Sequence, residues 1–376
     1  MTQTKVEAPF VANNATFRNL IINGDMQVAQ RSTSVTGIGD GDSGYHTCDR
    51  WGFTEGGSSA AVFTQTQSTD VPTGQGFSKS LKMDCTTADT SLASNEIFRI
   101  DNRIEGQFLQ HLAKGTSSAK KVTLSFWVKS SKTGTHIVRY YDQDNNRHIC
   151  AAYTIASADT WEHKTMTFDG DTTGAFDNDN AKSLQISWYL FAGSDYTSGT
   201  LATSWASSSD ANSGVGQVNV ADSTSNNWYL TGVQLEVGDA ATDFEHLPFD
   251  VQFQRCQRYL QCITHNADTS GNVTGDNKYV MDVHFYNDTA CYGSYMFPVQ
   301  MRGTPTVVAT DSSNSLRVYY KGGYDSIDNL ALEGTARFNH VLLGNFTDIA
   351  DADQAGAAGH VYNYDNAQVF IDAELG

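Results

Sequence analysis

The sequence predicts an all-β protein: one antiparallel β-sandwich, a short linker helix and a second, smaller β-sandwich. Three observations predict it. Only 18% of the 376 residues are charged, and glycines outnumber prolines 32 to five. Several segments alternate apolar and polar side chains, the period of a strand whose two faces meet different surroundings. Polar Ser/Thr/Asn/Asp/Gly turns separate them without intervening helices, which favours antiparallel pairing over βαβ crossovers.

Residues 1–16 show no sustained periodicity and are expected to form an N-terminal attachment arm. The first sandwich is assigned to 17–247. It starts with a strand-like stretch, Phe17–Ile22, and the turn Asn23-Gly24-Asp25. A Gly/Ser/Asp loop runs from Ser32 to Tyr45, and Asp49-Arg50-Trp51 opens the next strand. The clearest strand is Lys121–Lys129, with Val122, Leu124, Phe126 and Val128 on one face and Thr123, Ser125, Trp127 and Lys129 on the other. Thr135–Tyr141, Ser183–Phe191 and Tyr229–Val237 follow the same rule. The stretch Thr197–Asn227 is poor in apolar residues and reads as a surface loop.

The period changes at Pro248. Phe249, Phe253, Cys256, Leu260 and Ile263 recur at helical spacing, so 248–264 is expected to be the linker helix. That stripe either packs on its own domain or forms an a/d seam between copies about a symmetry axis. The seam is too short to hold a coiled coil without help from flanking domains. Residues 265–376 return to strands, with candidates at Lys278–Tyr286, Cys291–Gln300, Thr306–Thr310, Leu316–Tyr320, Ala336–Leu342 and Ala367–Ala373.

Acidic residues outnumber basic ones 42 to 24, a formal charge of −18. That argues against nucleic acid, whose phosphates need basic patches, and against anionic membrane surfaces. No apolar run is long enough for a membrane helix. The first residues lack the apolar core of a secretory signal, which predicts a protein made in a cytoplasm. Six cysteines, Cys48, Cys85, Cys150, Cys256, Cys262 and Cys291, contain no CxxC pair and read as free, mostly buried thiols, with Cys256 and Cys262 on one helix. No catalytic or nucleotide-binding motif is present, so no catalytic residue is assigned and the protein is not expected to be an enzyme. Asp142-Gln-Asp144-Asn-Asn146 begins like a calcium loop but has Arg147 and Tyr153 where that loop needs Gly and Glu. This cluster, Asp169/Asp171, Asp177/Asp179 and Asp348/Asp351/Asp353 read as solvated turn residues. A structural calcium is conceivable, with no metal ligand assigned.

The non-core face of the first sandwich holds the candidate ligand site. If the strands pair as read, Trp127, Arg139, Tyr141, Gln185, Tyr189, Gln234 and Glu236 project together. Flat aromatic rings flanked by polar groups suit sugars, whose CH faces stack while their hydroxyls find hydrogen bonds. The competing reading is a face covered by another domain or subunit, and a one-residue slip in register would exchange the two faces.

Several segments carry a family resemblance. Asn19-Leu-Ile-Ile-Asn-Gly-Asp-Met26 with Asp49-Arg50-Trp51, then Leu124-Ser-Phe-Trp-Val-Lys129 and Val233-Gln-Leu-Glu-Val-Gly238, resemble jelly-roll carbohydrate-binding-module domains, in particular those embedded in tailed-bacteriophage virion proteins. Asp243-Phe-Glu-His-Leu-Pro-Phe249 followed by Cys256-Gln-Arg-Tyr259 resembles the junction after that jelly roll in phage tail-fibre and tail-tip proteins, and Phe370-Ile-Asp-Ala-Glu-Leu375 resembles their last strand. The resemblance implies a virion location, a homotrimer, contact with other virion proteins through the N-terminal arm and binding of a host-surface glycan during adsorption. Its rivals are a non-binding capsid-decoration or tail-assembly protein and, more remotely, a glycan depolymerase.

Overall fold

Among the described residues, twenty-three strands build four antiparallel sheets. The computed structural model describes residues 17–39, 41–264, 278–287, 290–309, 316–327, 331–332, 340–344, 356–363 and 368–376. The proposed arm at 1–16 and the cluster Asp348/Asp351/Asp353 lie outside them.

The first sandwich contains β1 (Ser34–Gly39), β2 (Gly44–Tyr45), β3 (Trp51–Gly56), β4 (Val62–Ser68), β5 (Ser80–Thr87), β6 (Ile97–Glu105), β7 (Val122–Ser130), β8 (Gly134–Asp142), β9 (Arg147–Ile155), β10 (Glu162–Phe168), β11 (Lys182–Ala192), β12 (Ala206–Ser207) and β13 (Asn227–Val237). Its front sheet has six strands in the order β1-β4-β5-β13-β7-β10, and its back sheet has seven in the order β12-β9-β8-β11-β6-β3-β2. The chain crosses repeatedly from one sheet to the other, as in a jelly roll.

The alternation read in β7 and β8 is the alternation observed, while bulges at Tyr189–Phe191 in β11 and Thr231–Gln234 in β13 shift its phase and bring Phe191 into the core beside Leu190. Val122, Leu124, Phe126 and Val128 face Val138, Tyr140, Leu184, Ile186 and Trp188 across one core. Phe126 from the front sheet packs against Trp188 and Tyr153 from the back sheet, at ring separations of 5.7 and 5.2 Å, and Trp188 continues to Trp51 at 5.4 Å. A one-turn helix, α1 (Ser194–Thr197), leads into the segment that follows β11.

The second sandwich follows the linker helix α2 (Phe249–Gln257). Its three-stranded sheet orders β14 (Leu260–Cys262), β23 (Val369–Asp372) and β17 (Thr306–Ala309). The seven-stranded sheet orders β19 (Gly323–Ile327), β18 (Leu316–Tyr320), β22 (Ala358–Asn363), β15 (Lys278–Asn287), β16 (Ala290–Met296), β21 (His340–Gly344) and β20 (Ala331–Leu332). Ile263, Val283, Phe285, Val318, Val361 and Ile371 form the core between them.

Three local expectations are corrected. Phe17–Ile22 is not a strand, because its partners are side chains and single backbone bonds. Asn19 donates to Val233 O and accepts from Ile21 N and Leu235 N, while Leu20 N bonds Leu235 O. The loop Ser32–Tyr45 contains β1 and β2. The helix spans nine residues instead of reaching 264, because Leu260–Cys262 pairs with β23 and turns the apolar run into a strand. Cys256 and Cys262 therefore sit on different elements. All six cysteines are free, and five of them are buried.

The sequence motifs near the start work as internal braces. Asn23 donates to Val28 O and Asp49 O and accepts from Val28 N. Gly24 runs so close to Val233 that a Cβ would lie 2.1 Å from its carbonyl oxygen. Asp49 accepts from Gln30 N at 2.8 Å and Gln30 Nε2 at 2.5 Å, and burial lifts its pKa to about 6 despite Arg31 nearby. Trp51 Nε1 donates to Asn23 O at 2.8 Å.

His136 lies in the core face of β8, fully buried and stacked on Tyr153 at 5.4 Å. Burial lowers its pKa to about 4. The native state therefore binds fewer protons than the unfolded chain between that value and about 6.5, so stability falls as pH drops through this window. Asp49 acts oppositely, since its raised pKa costs stability as pH rises from about 4 to 6. Comparing wild type with His136→Phe isolates the histidine. Wild type should lose about 3 kcal/mol relative to the variant between pH 7 and pH 4, read from urea melts. Parallel pH profiles for the two proteins would refute this.

Candidate functional site

The back sheet presents a polar cleft of about 490 Å³ on the face turned away from the core. Its floor is set by register. On β11, Ser187 stands between Asp101 of β6 and Arg139 of β8, and Gln185 stands between Arg103 and Tyr141. Because side chains repeat every second residue, Arg99, Asp101 and Arg103 share this outward face with Arg139, Tyr141 and Gln185. The second wall comes from the segment after β11. Tyr196 on α1, Ser208 and Asp210 line it, and β12 stitches the segment to β9 through Ala206 opposite His148.

Asp101 is fully buried and spent on the sheet. It accepts from Ser187 Oγ and Thr54 Oγ1, each at 2.5 Å, and pairs with Arg99 at 3.4 Å and Arg103 at 3.5 Å. Arg139 donates to Ser208 Oγ at 2.5 Å and lies over the Tyr141 ring at 4.4 Å. Tyr141 is half-buried, and its hydroxyl donates to Asn146 Oδ1. Lys182 reaches Gln185 Oε1 at 3.4 Å, while Gln185 donates to Ser187 Oγ. Burial pushes the Lys182 pKa down, and the like charges of Arg103 and Arg99 push it further. Behind the wall, burial and then Arg139 hold His148 near a pKa of about 4.

The expectation of one shared face for all seven ligand candidates is overturned. Trp127, Gln234 and Glu236 belong to the front sheet, and Arg139, Tyr141, Gln185 and Tyr189 to the back sheet. Trp127 stacks on His163 of β10 at 5.1 Å. Gln234 and Glu236 are buried and latch the following segment. Gln234 accepts from Glu245 N, and Glu236 accepts from Thr242 N and Oγ1. Tyr189 is fully buried beside Ile97, Ile137 and Cys150, under Tyr196, Leu201 and Ala202. The stretch Thr197–Asn227 is thus more than a surface loop, for it covers part of the back sheet and sends Val220 and Ala221 into the core. Arg139, Tyr141 and Gln185 do meet in the cleft. Arg99, Lys182, Tyr196 and Asp210 join them there without having been read from the sequence.

The seam residues also separate. Phe249 is exposed and stacks on Phe253 at 5.8 Å, whereas Cys256, Leu260 and Ile263 are buried within the chain. The buried side of α2 carries Gln252 and Cys256.

The acidic turn at Asp142 already contains a cation. Lys114 Nζ lies 2.6 Å from Asp142, 3.2 Å from Asp171, 2.9 Å from Thr173 O and 2.7 Å from Gly174 O. Asp179 accepts from Ala181 N, a turn-forming role, and Asp144 accepts from Asp177 N, which ties two loops together. Among the described residues no group of three or more His, Cys, Asp and Glu is arranged to hold a metal.

No protein-family model and no curated protein matches this sequence. Solved structures do. The enzymatically active domain of bacteriophage CBA120 tailspike protein 4 is 14% identical, with a TM-score of 0.31, over 59% of this chain and 22% of that one. A CBM4 structure is 13% identical, with a TM-score of 0.30, over 58% of this chain and 99% of that one. A family 30 carbohydrate-binding module is 11% identical, with a TM-score of 0.30, over 62% and 95%. The chain thus spans about a fifth of the tailspike chain it matches. The jelly-roll assignment above rests on strand order and pairing. No helix among the described residues is long and apolar enough to cross a membrane.

Proposed function

We propose that this chain is a virion component of a tailed bacteriophage, a tail fibre that holds a host-surface glycan during adsorption. The observation that carries the binding role is the cleft on the back sheet. Tyr141 and Tyr196 line it with aromatic rings, and Gln185, Ser208, Asp210 and the cationic side chains supply donors and acceptors around them. Its volume lies within the range of about 300–1,000 Å³ usual for small-ligand sites. The virion role rests on the sequence resemblance, which also implies a homotrimer attached through residues 1–16. Action is by binding without turnover, and several weak sites on one assembly supply avidity.

Purified protein should be retarded in gels containing host-surface polysaccharide and should compete with phage for adsorption to cells. Tyr141→Ala should weaken retardation about tenfold, as expected for one lost ring contact, with an unchanged melting temperature. Mass in solution should correspond to a trimer. A protein that neither binds polysaccharide nor competes with adsorption would exclude this reading in favour of a purely structural virion part.

A further inference from the structure

We infer that the back-sheet cleft selects acidic saccharides, taking an anionic substituent of the sugar between Arg139 and Lys182. The inference rests on the glycan-binding reading of the same cleft and names its ligand class. In a chain with 42 acidic against 24 basic residues, chance favours a cleft of negative sign. This one is lined by Arg99, Arg139 and Lys182, with Asp210 as the carboxylate on its rim. Away from the cleft, Arg255 and Arg302 donate to carbonyl oxygens, while several other buried or half-buried cations are neutralised by carboxylates, as Lys114 is by Asp142 and Asp171, and Arg258 by Glu105. Arg99 is neutralised in the same way by Asp101.

Arg139 and Lys182 differ. Among the described residues neither forms an ion pair. Arg139 is only 6% exposed, yet its guanidinium makes a single hydrogen bond, to the neutral Ser208 hydroxyl, and its Nε is left without a partner. Lys182 has one long contact to a neutral amide oxygen. Burying a cation without a counter-charge is costly, and a ligand that brings the charge relieves that cost. Guanidinium matches a carboxylate or a phosphate through paired N–H donors, and the ammonium adds a point charge. The Tyr141 ring, stacked under the Arg139 guanidinium, fixes the group that takes the anion.

The test uses calorimetry on the full-length protein with matched probes. Tetragalacturonate is compared with its carboxyl-reduced form, an α2,8-linked sialic acid trimer with its carboxyl-reduced form, and pentamannose 6-phosphate with pentamannose. At least one acidic member should bind about tenfold more tightly than its neutral partner at low salt, with the gap narrowing as salt rises. Preference confined to the first two pairs identifies a carboxylate, and to the third a phosphate. Arg139→Gln and Lys182→Gln should each remove most of that preference, and Lys182→Gln, at the half-buried rim, should do so with an unchanged melting temperature. Equal affinity within every pair would overturn the acidic-sugar inference and leave glycan binding standing. Binding of none of the six probes, with no retardation by host polysaccharide, would overturn both.

Discussion

Glu374→Ala should destabilise the protein by about 3–5 kcal/mol, the cost of stranding a buried charge. Glu374 pairs with Arg50, whose side chain is 2% exposed and stands just before β3. Arg50 also donates to Arg103 O and lies 3.5 Å from the centroid of the Tyr259 ring. Removing the carboxylate leaves the buried guanidinium without its anion. Glu374 Oε1 also lies 3.6 Å from Arg31, so a second cation loses part of its field. The effect extends beyond one sandwich, because Glu374 follows β23 while Arg50 precedes β3. Around this pair Tyr45 and Arg103 donate to Leu375 O, Gln30 donates to Leu260 O, and Asn180 and Arg302 exchange bonds. Urea melts followed by tryptophan fluorescence should show an earlier midpoint. Combining Arg50→Met with Glu374→Leu should recover part of the loss, since an apolar pair carries no desolvation cost. A single-variant change below about 1 kcal/mol would show that solvent reaches the pair.

Trp188→Ala should cost a similar amount, about 3–5 kcal/mol, through lost burial and the cavity left behind. Trp188 is fully buried and contacts Trp51 on its own sheet and Phe126 on the opposite one. Those rings come from three strands whose backbones are fixed by hydrogen-bonded ladders, so they cannot close the gap. Trp188→Phe keeps much of the volume and should lose clearly less. Equal losses for the two variants would show that the site collapses around either residue.

The sandwich core was legible because a strand with one buried face writes a period of two into its sequence. Lys121–Lys129 carried that signal without interruption, and Tyr229–Val237 carried it on both sides of a bulge between Thr231 and Gln234. Pairing was not legible. Nothing local to Trp127 or Tyr141 says that β7 joins the front sheet and β8 the back sheet, so a single face was drawn from residues of two. Alternation also identifies only the side that avoids the core. It cannot distinguish Tyr141, open to a cleft, from Tyr189, roofed by residues that follow it, or from Gln234, held by the backbone of Glu245. Arg99 was within reach, because Phe98, Ile100 and Ile104 alternate with Arg99, Asp101 and Arg103. Tyr196 and Asp210 belong to a segment without a period, and only the folded chain brings them to the sheet. The linker helix was overextended for a related reason. A residue pattern buried on one side of a helix and then in a short strand imitates a longer helical stripe.

The cleft has walls of unequal permanence. One is made of ladder strands, where Arg139 and Gln185 are tied to core positions through their own backbones. The other is a connecting segment that contributes Tyr196, Ser208 and Asp210. Its anchors are largely main-chain bonds, Gly214 N to Tyr196 O, Cys150 N to Ala202 O and Ser208 N to Asn146 O, which do not depend on side-chain identity. Sequence drift in that wall can therefore change which partner is recognised while the sheets stay as they are. If the proposed adsorption role holds, a lineage under pressure from a changing host surface records its history there first.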